Sequence, residues 1–261
     1  MDVGGFFPGL HQPSDAKHFA SACVSVRRLW GRKKPLGCPS VFVDSGAFTE
    51  LNLYGEYQTS VEDYAAELCR LHTEGVANIV VAVAQDYMCE AFMLAKTGLT
   101  IADHQRLTIE RYDALVKALD DHFVGHCPFP VLPVLQGYSP DDYVRHLRAY
   151  GGRIGPGMWV GVGSVCKRNG DPGAIHAVLR AIKRERPDIR LHGFGVKKTS
   201  IADPRVRELL ATADSMAWSY AARKQGRNAN DWREAMAFRD HIEREAATPR
   251  AYQSDMFEEV S

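Results

Sequence analysis

Three polar residues stand where apolar runs give out, and their types can exchange protons or read hydrogen-bond edges. Asp44 follows Ser40–Val43, Asp86 follows Asn78–Ala84, and Gln136 follows Val131–Leu135. An unpaired charge at the end of a core strand is costly, so an acid placed there is expected to do work. Capping of the next helix is the other use open to these acids, more so for Asp86 than for Asp44.

The elements that must position them form a repeating pattern. Short apolar runs occur at Val3–Phe7, Ala22–Val26, Ser40–Val43, Asn78–Ala84, Val131–Leu135, Met158–Val162, Arg190–Gly195 and Ala213–Trp218. Several are rich in Val and Ile and bounded by Gly, Pro, Ser or Asp, which reads as buried parallel strands. Helical patterns lie between them at Val61–Thr73, Ile101–Leu119, Asp141–Tyr150, Pro172–Glu185 and Pro204–Leu210, several opened by Ser or Asp. Eight strands alternating with helices predict an α/β fold, a single-domain (β/α)₈ TIM barrel over residues 1–247, with a doubly wound open sheet as the alternative. A last helix is expected from after Asp231 to about Ala247, and a flexible tail over residues 248–261.

In such a barrel, catalysis belongs at the C-terminal ends of the strands. Of the 32 Lys and Arg residues, twelve fall in the segments that follow strands. They are Arg27, Arg28, Arg32, Lys33 and Lys34; Lys167 and Arg168; Lys197 and Lys198; and Arg223, Lys224 and Arg227. A basic rim suits a polyanion, and Trp30, Tyr54, Tyr87 and Tyr138 are placed to stack bases beside it; ordinary solvated loop charge is the plainer reading. The 32 Asp and Glu residues balance the charge to zero, which argues against a uniformly basic binder and for a local anion site. Six cysteines form no CxxC pair and no zinc spacing, so neither a metal nor a cofactor is expected. With no leader pattern and no run of about 18 apolar residues, a cytoplasmic setting without a membrane partner is expected.

Four motifs in order then resemble a known family. Asp44-Ser45-Gly46-Ala47-Phe48 resembles the DSGGF motif of tRNA-guanine transglycosylases, and Gln136-Gly137 their VQG motif. Gly161-Val162-Gly163 is similar to the glycine-rich strand end lining their base pocket, and Ala213-Asp214-Ser215-Met216-Ala217 to the strand holding their aspartate nucleophile. The nearest branch is the DNA-acting one, the deazapurine DNA-modification, queuine-transferase-like proteins, which the blocks Gln85–Glu90 and Arg223–Asn228 also resemble. The zinc site of the tRNA enzymes has no counterpart here, nor has their RNA-binding domain, so DNA is the expected substrate. Ala47 replaces a glycine of the motif.

The resemblance implies glycosidic cleavage with Asp214 as nucleophile or electrostatic stabiliser and Asp44 as general acid/base. Ser45, Asp86, Gln136, Gly161 and Gly163 would bind the flipped base. Asp214 lies early in its apolar run, which conflicts with a place at the strand's C-terminal end; a turn residue is its plainer reading. A chain pared to its barrel leans towards a DNA glycosylase that leaves an abasic site, with defence against phage carrying modified DNA as one setting. Exchange for a 7-deazaguanine, with a free deazapurine as partner, is the alternative, and a non-catalytic nucleic-acid or deazapurine binder is the alternative of another class. In the tail, Gln253, Met256 and Phe257 resemble the Q-x-x-[L/M]-F peptide that docks into bacterial sliding clamps.

Overall fold

A computed structural model describes residues 5–165, 168 and 171–247. Lys167 and the clamp-like residues Gln253, Met256 and Phe257 lie outside the described residues, as does Val3 of the first apolar run.

The strands are β1 (Phe6–Pro8), β2 (Ser21–Ser25), β3 (Ser40–Asp44), β4 (Ile79–Val83), β5 (Val131–Leu132), β6 (Val134–Leu135), β7 (Trp159–Val162), β8 (Arg190–Gly193) and β9 (Thr212–Ser215). All pair in parallel, so the fold is α/β. The pairing forms two sheets, β1-β9-β8-β7-β6 and β2-β3-β4-β5, where the sequence predicted one closed ring. Two features join them. Gly9 bridges Cys23, and the run Val131–Leu135 passes from one sheet to the other at Pro133. Proline has no N–H to give a ladder, so the run breaks there, while the Pro133 carbonyl still accepts the Gly161 N–H at 2.8 Å.

The helices are α1 (Val26–Leu29), α2 (Ala47–Tyr54), α3 (Val61–Thr73), α4 (Ala91–Thr97), α5 (Ile101–His122), α6 (Pro140–Tyr150), α7 (Pro172–Glu185), α8 (Lys198–Ala202), α9 (Pro204–Arg207), α10 (Ala217–Lys224) and α11 (Trp232–Ala247). Side-chain caps explain why the longer ones begin where they do. The Ser60, Thr100, Ser139 and Asp171 side chains each accept a first-turn backbone N–H, and Thr100 and Ser139 complete capping boxes with Asp103 and Asp142.

The sequence placed Ala213–Trp218 in one strand. The structure ends the strand at Ser215, whose hydroxyl accepts the Ala217 N–H at 3.1 Å and opens α10. Asp214 therefore stands near the C-terminal end of β9, and its awkward position in the longer run disappears. Arg223 and Lys224 belong to the last turn of α10, and Lys198 opens α8; these basic residues are helical rather than loop residues.

One apolar layer lies between helices and sheets. A second, inner cluster takes Phe7, Cys23, Phe42, Val81, Val83, Leu132 and Val134 from strands of both sheets, with Trp159 and Phe194 packed against it. That inner cluster is the floor on which the polar strand ends stand.

Glu50 shows how the fold fixes the wall beside Asp44. It is 1 % exposed and accepts from Arg27 Nη1 at 2.9 Å, Gln58 N at 2.7 Å, Thr59 N at 2.9 Å and Thr59 Oγ1 at 2.6 Å. Burial alone would raise its pKa; the Thr59, Gln58 and Arg27 donors together hold it below the usual range. Glu50→Ala is expected to cost about 2–3 kcal/mol of unfolding free energy in urea melts, the size of a charged buried hydrogen-bond set. A loss below about 0.5 kcal/mol would contradict this role.

Candidate active site

The C-terminal strand ends surround a cavity of about 670 Å³, within the range of small-molecule sites. Asp44, Asp86, Gln136, Gly163 and Asp214 all line it, although they come from five separate stretches of chain. Gly46, Ala47, Arg27 and Arg28 also reach its wall. Ser45 is buried next to this wall, and Gly161 lies one turn of pleat deeper in β7.

Asp44 ends β3. Gly46, at φ +78°, lets the chain turn back so that its N–H donates to Asp44 Oδ2 at 3.0 Å. Burial raises the Asp44 pKa most, and the nearby Asp214 carboxylate raises it further; donors from Gly46 and Ser25 pull the other way, and the result is about 6. Asp86 is pushed to about 7, chiefly by burial, against the Gln136 donor and with added repulsion from Asp44 and Glu90. Near neutral pH both carboxyls can therefore hold a proton, which ordinary aspartates do not.

A second chain of bonds fixes the amide side. Cys89 N–H donates to Ser164 Oγ at 3.1 Å, Ser164 donates to Gln136 Oε1 at 2.7 Å, and Gln136 Nε2 donates to Asp86 Oδ2. The main chain of Gln136 is held too: its N–H donates to His146 Nδ1 at 2.9 Å, and its carbonyl accepts from Gln105 at 2.7 Å. Burial lowers the His146 pKa to about 4, which keeps that ring neutral and able to accept. Gly163 must be glycine, because a Cβ there would lie 2.1 Å from Gln136 Nε2. A Cβ on Gly161 would lie 2.5 Å from the Phe194 ring, so that glycine shapes the floor and does not touch the cavity directly.

Asp214 is held differently. Its Oδ1 accepts from Gly195 N–H at 3.0 Å and lies 3.3 Å from His192 Nε2. Among the described residues its Oδ2 has no hydrogen-bond partner, and the side chain faces the cavity.

The basic rim is divided. Arg28 lines the cavity, and with Arg223 it lowers the pKa of His11, also on the wall, although burial of that ring is the larger cause. Arg27 lines it as well, but its guanidinium is committed to Glu50. Arg32, Lys33 and Lys34 follow α1, where Arg32 donates to the Lys34 carbonyl at 2.7 Å. Lys197 is exposed at the start of α8, and Lys224 lies over the Tyr220 ring. Arg168 lies 4.8 Å above the Tyr138 ring. Lys198 and Arg227 instead line a smaller cleft against α11, where Lys198 sits 4.9 Å from the Phe238 ring and Arg227 pairs with Glu234 at 3.1 Å. Trp30, Tyr54 and Tyr138 are exposed, as expected of stacking residues, whereas Tyr87 is buried against Tyr57 and cannot stack on a base.

The sequence reading missed Ser164, His192, Gly195 and Glu90. His192 had a visible signal, a lone histidine inside an apolar strand run. Ser164 had none, because its role follows from a left-handed backbone (φ +56°) that no sequence pattern marks.

Residues 4–233 match the family model DpdA, DeoxyPurine in DNA protein A. The chain belongs to the DpdA family. This places it in the branch concerned with deazapurine modification of DNA, and DNA is the family's target. No curated protein sequence matches the chain. Among the described residues, no helix is long and apolar enough to cross a membrane.

The carboxyl shifts set the pH dependence of stability. The folded chain keeps a proton on Asp86 up to about pH 7, while an unfolded aspartate releases it near 3.8. Stability therefore falls as pH rises between those values and carries the full penalty above the upper one; Asp44 acts with the same sign up to about 6. Asp86→Asn cannot ionise and still offers Gln136 an acceptor. It is expected to raise Tm at pH 8, by roughly 2–4 °C for each kcal/mol recovered, and to change it little at pH 4. Equal shifts at both pH values would contradict the assignment.

Proposed function

We propose that this protein breaks the N-glycosidic bond of a nucleotide flipped out of DNA and exchanges its base for a 7-deazaguanine. The observation that carries the reading is the pairing of two unlike aspartates across one cavity. Asp44, with a pKa near 6, suits a proton donor, and Asp214, held by a backbone N–H and a histidine with one oxygen left over, suits the sugar.

The steps balance. As the bond from C1′ to the base nitrogen breaks, Asp44 gives its proton to the departing base. The Asp214 carboxylate bonds to, or stabilises positive charge at, C1′. The incoming free base then loses a ring N–H proton to Asp44 as its nitrogen bonds to C1′ and Asp214 is released. Asp86, Gln136 and Gly163 would hold both bases in turn, and flipping the nucleotide costs a few kcal/mol. Arg28 and the exposed cations of the segment after α1 would hold flanking phosphates.

The reading includes a barrel. The Gly9–Cys23 bridge and the passage at Pro133 support one eight-strand ring whose C-terminal mouth is the site. The family's role in deazapurine modification of DNA favours exchange over excision, the opposite of the lean taken from the chain's economy of elements.

Incubating the protein with DNA and a labelled 7-deazaguanine-type base separates the outcomes. Exchange predicts label in the DNA without alkali-labile sites, and its loss by at least about 10³-fold in Asp44→Ala and Asp214→Ala. Alkali-labile sites without label would replace exchange by excision. Neither product, on modified or unmodified DNA, would overturn the reading.

A further inference from the structure

The least expected part of the site lies beneath Asp214. His192 is fully buried in β8, and both ring nitrogens have partners: Nδ1 is 2.9 Å from Thr212 Oγ1, and Nε2 is 3.3 Å from Asp214 Oδ1. Thr212 Oγ1 in turn accepts from the Trp159 indole N–H at 2.7 Å. An indole nitrogen can only donate, which fixes the direction of the chain at its far end. The carboxylate fixes it at the near end, because a carboxylate facing a ring nitrogen 3.3 Å away wants an N–H there. Between those ends one arrangement satisfies every neutral group. Trp159 donates to Thr212, Thr212 donates to Nδ1, and Nε2–H donates to Asp214.

The ring is also held in place. Phe42 stacks on it with centroids 4.5 Å apart and planes 23° apart, and Phe194 meets it edge-on at 4.8 Å. An imidazole clamped between two aromatic rings cannot turn to exchange its nitrogens. Its N–H therefore points at one oxygen of Asp214, the same oxygen that Gly195 holds. With Oδ1 bound from two directions, the carboxylate plane is set and Oδ2 is turned to the cavity.

We propose that Trp159, Thr212 and His192 form a buried relay that locks His192 as its Nε2–H tautomer and so positions Asp214 for its work at C1′. The inference rests on the reaction proposed above for Asp214, and the three residues are positioning residues that touch no substrate. The relay spans strands β7, β9 and β8, so its hold on Asp214 comes from the sheet itself, while Gly195, in the turn after β8, supplies the second donor.

The test combines histidine-selective ¹⁵N NMR of the full chain with single-turnover kinetics on DNA. The wild type is expected to show His192 neutral with the proton on Nε2. Thr212→Val keeps the shape but removes the hydroxyl. It is expected to lose the single tautomer and to lower the rate of the chemical step about 10–100-fold, with DNA affinity unchanged. Thr212→Ser, which keeps the hydroxyl, is expected to restore both, and it guards against a mere packing defect in the valine variant. A wild-type ring with its proton on Nδ1, or doubly protonated, would overturn the relay. So would a Thr212→Val protein with unaltered tautomer and rate. A changed tautomer with an unaltered rate would overturn the positioning role. Should Asp214→Ala stay active, the proposed reaction fails instead, while the NMR result on the relay still stands or falls by itself.

Discussion

Carboxylates crowded into a poorly solvated cavity repel one another, and the rest of the site follows from how that repulsion is managed. Asp44, Asp86, Glu90 and Asp214 all line the same space. Burial and mutual charge leave Asp44 and Asp86 with pKa values of about 6 and 7, so protonation of these two relieves part of the strain. Asp214 is handled by donors. Gly195 N–H and His192 bind its Oδ1, one from the turn after β8 and the other from within that strand. The cavity thus divides its carboxyl groups between two that burial and nearby charge push towards holding a proton and one that fixed donors orient.

That division depends on architecture that the chain builds far from the site. Pro133 moves the Val131–Leu135 run from one sheet to the other, which brings Gln136 from the end of β6 opposite Asp86, in the segment beyond β4. The Glu50 network pins Arg27 and the segment after α2, so the wall beside Asp44 is rigid. The inner aromatic cluster of Phe7, Phe42, Trp159 and Phe194 excludes water from below and clamps His192. The packed layer under the polar strand ends fixes their spacing.

Much of this was legible in the sequence, for identifiable reasons. Val61–Thr73 and Pro172–Glu185 have the bounds that their caps and periodicity predict, because Ser60 and Asp171 bond the first turn directly. Asp44, Asp86 and Gln136 were found from position alone, since an acid or amide at the end of an apolar run has few structural uses. Three helices near the site were not found: α2, α4 and α10 are short, and the first residues of α10, Ala217 and Trp218, fall inside the apolar run Ala213–Trp218. The basic rim was over-read. Lys198 and Arg227 follow strands in sequence, yet α8 and α10 carry them to the α11 side, a turn that composition does not encode. Thr212, His192 and Trp159 sit in three separate strands, and only strand register brings them into line.

On the proposed reaction, one cavity receives both the sugar and the base of a flipped nucleotide. The most direct measurement is a structure of the Asp214→Asn protein with substrate DNA bound. One nucleotide is expected out of the stack, with its base against Asp86, Gln136 and Gly163, its glycosidic nitrogen towards Asp44, and its C1′ beside residue 214. DNA bound with every base still stacked, or a base in the pocket with its C1′ remote from residue 214, would contradict it.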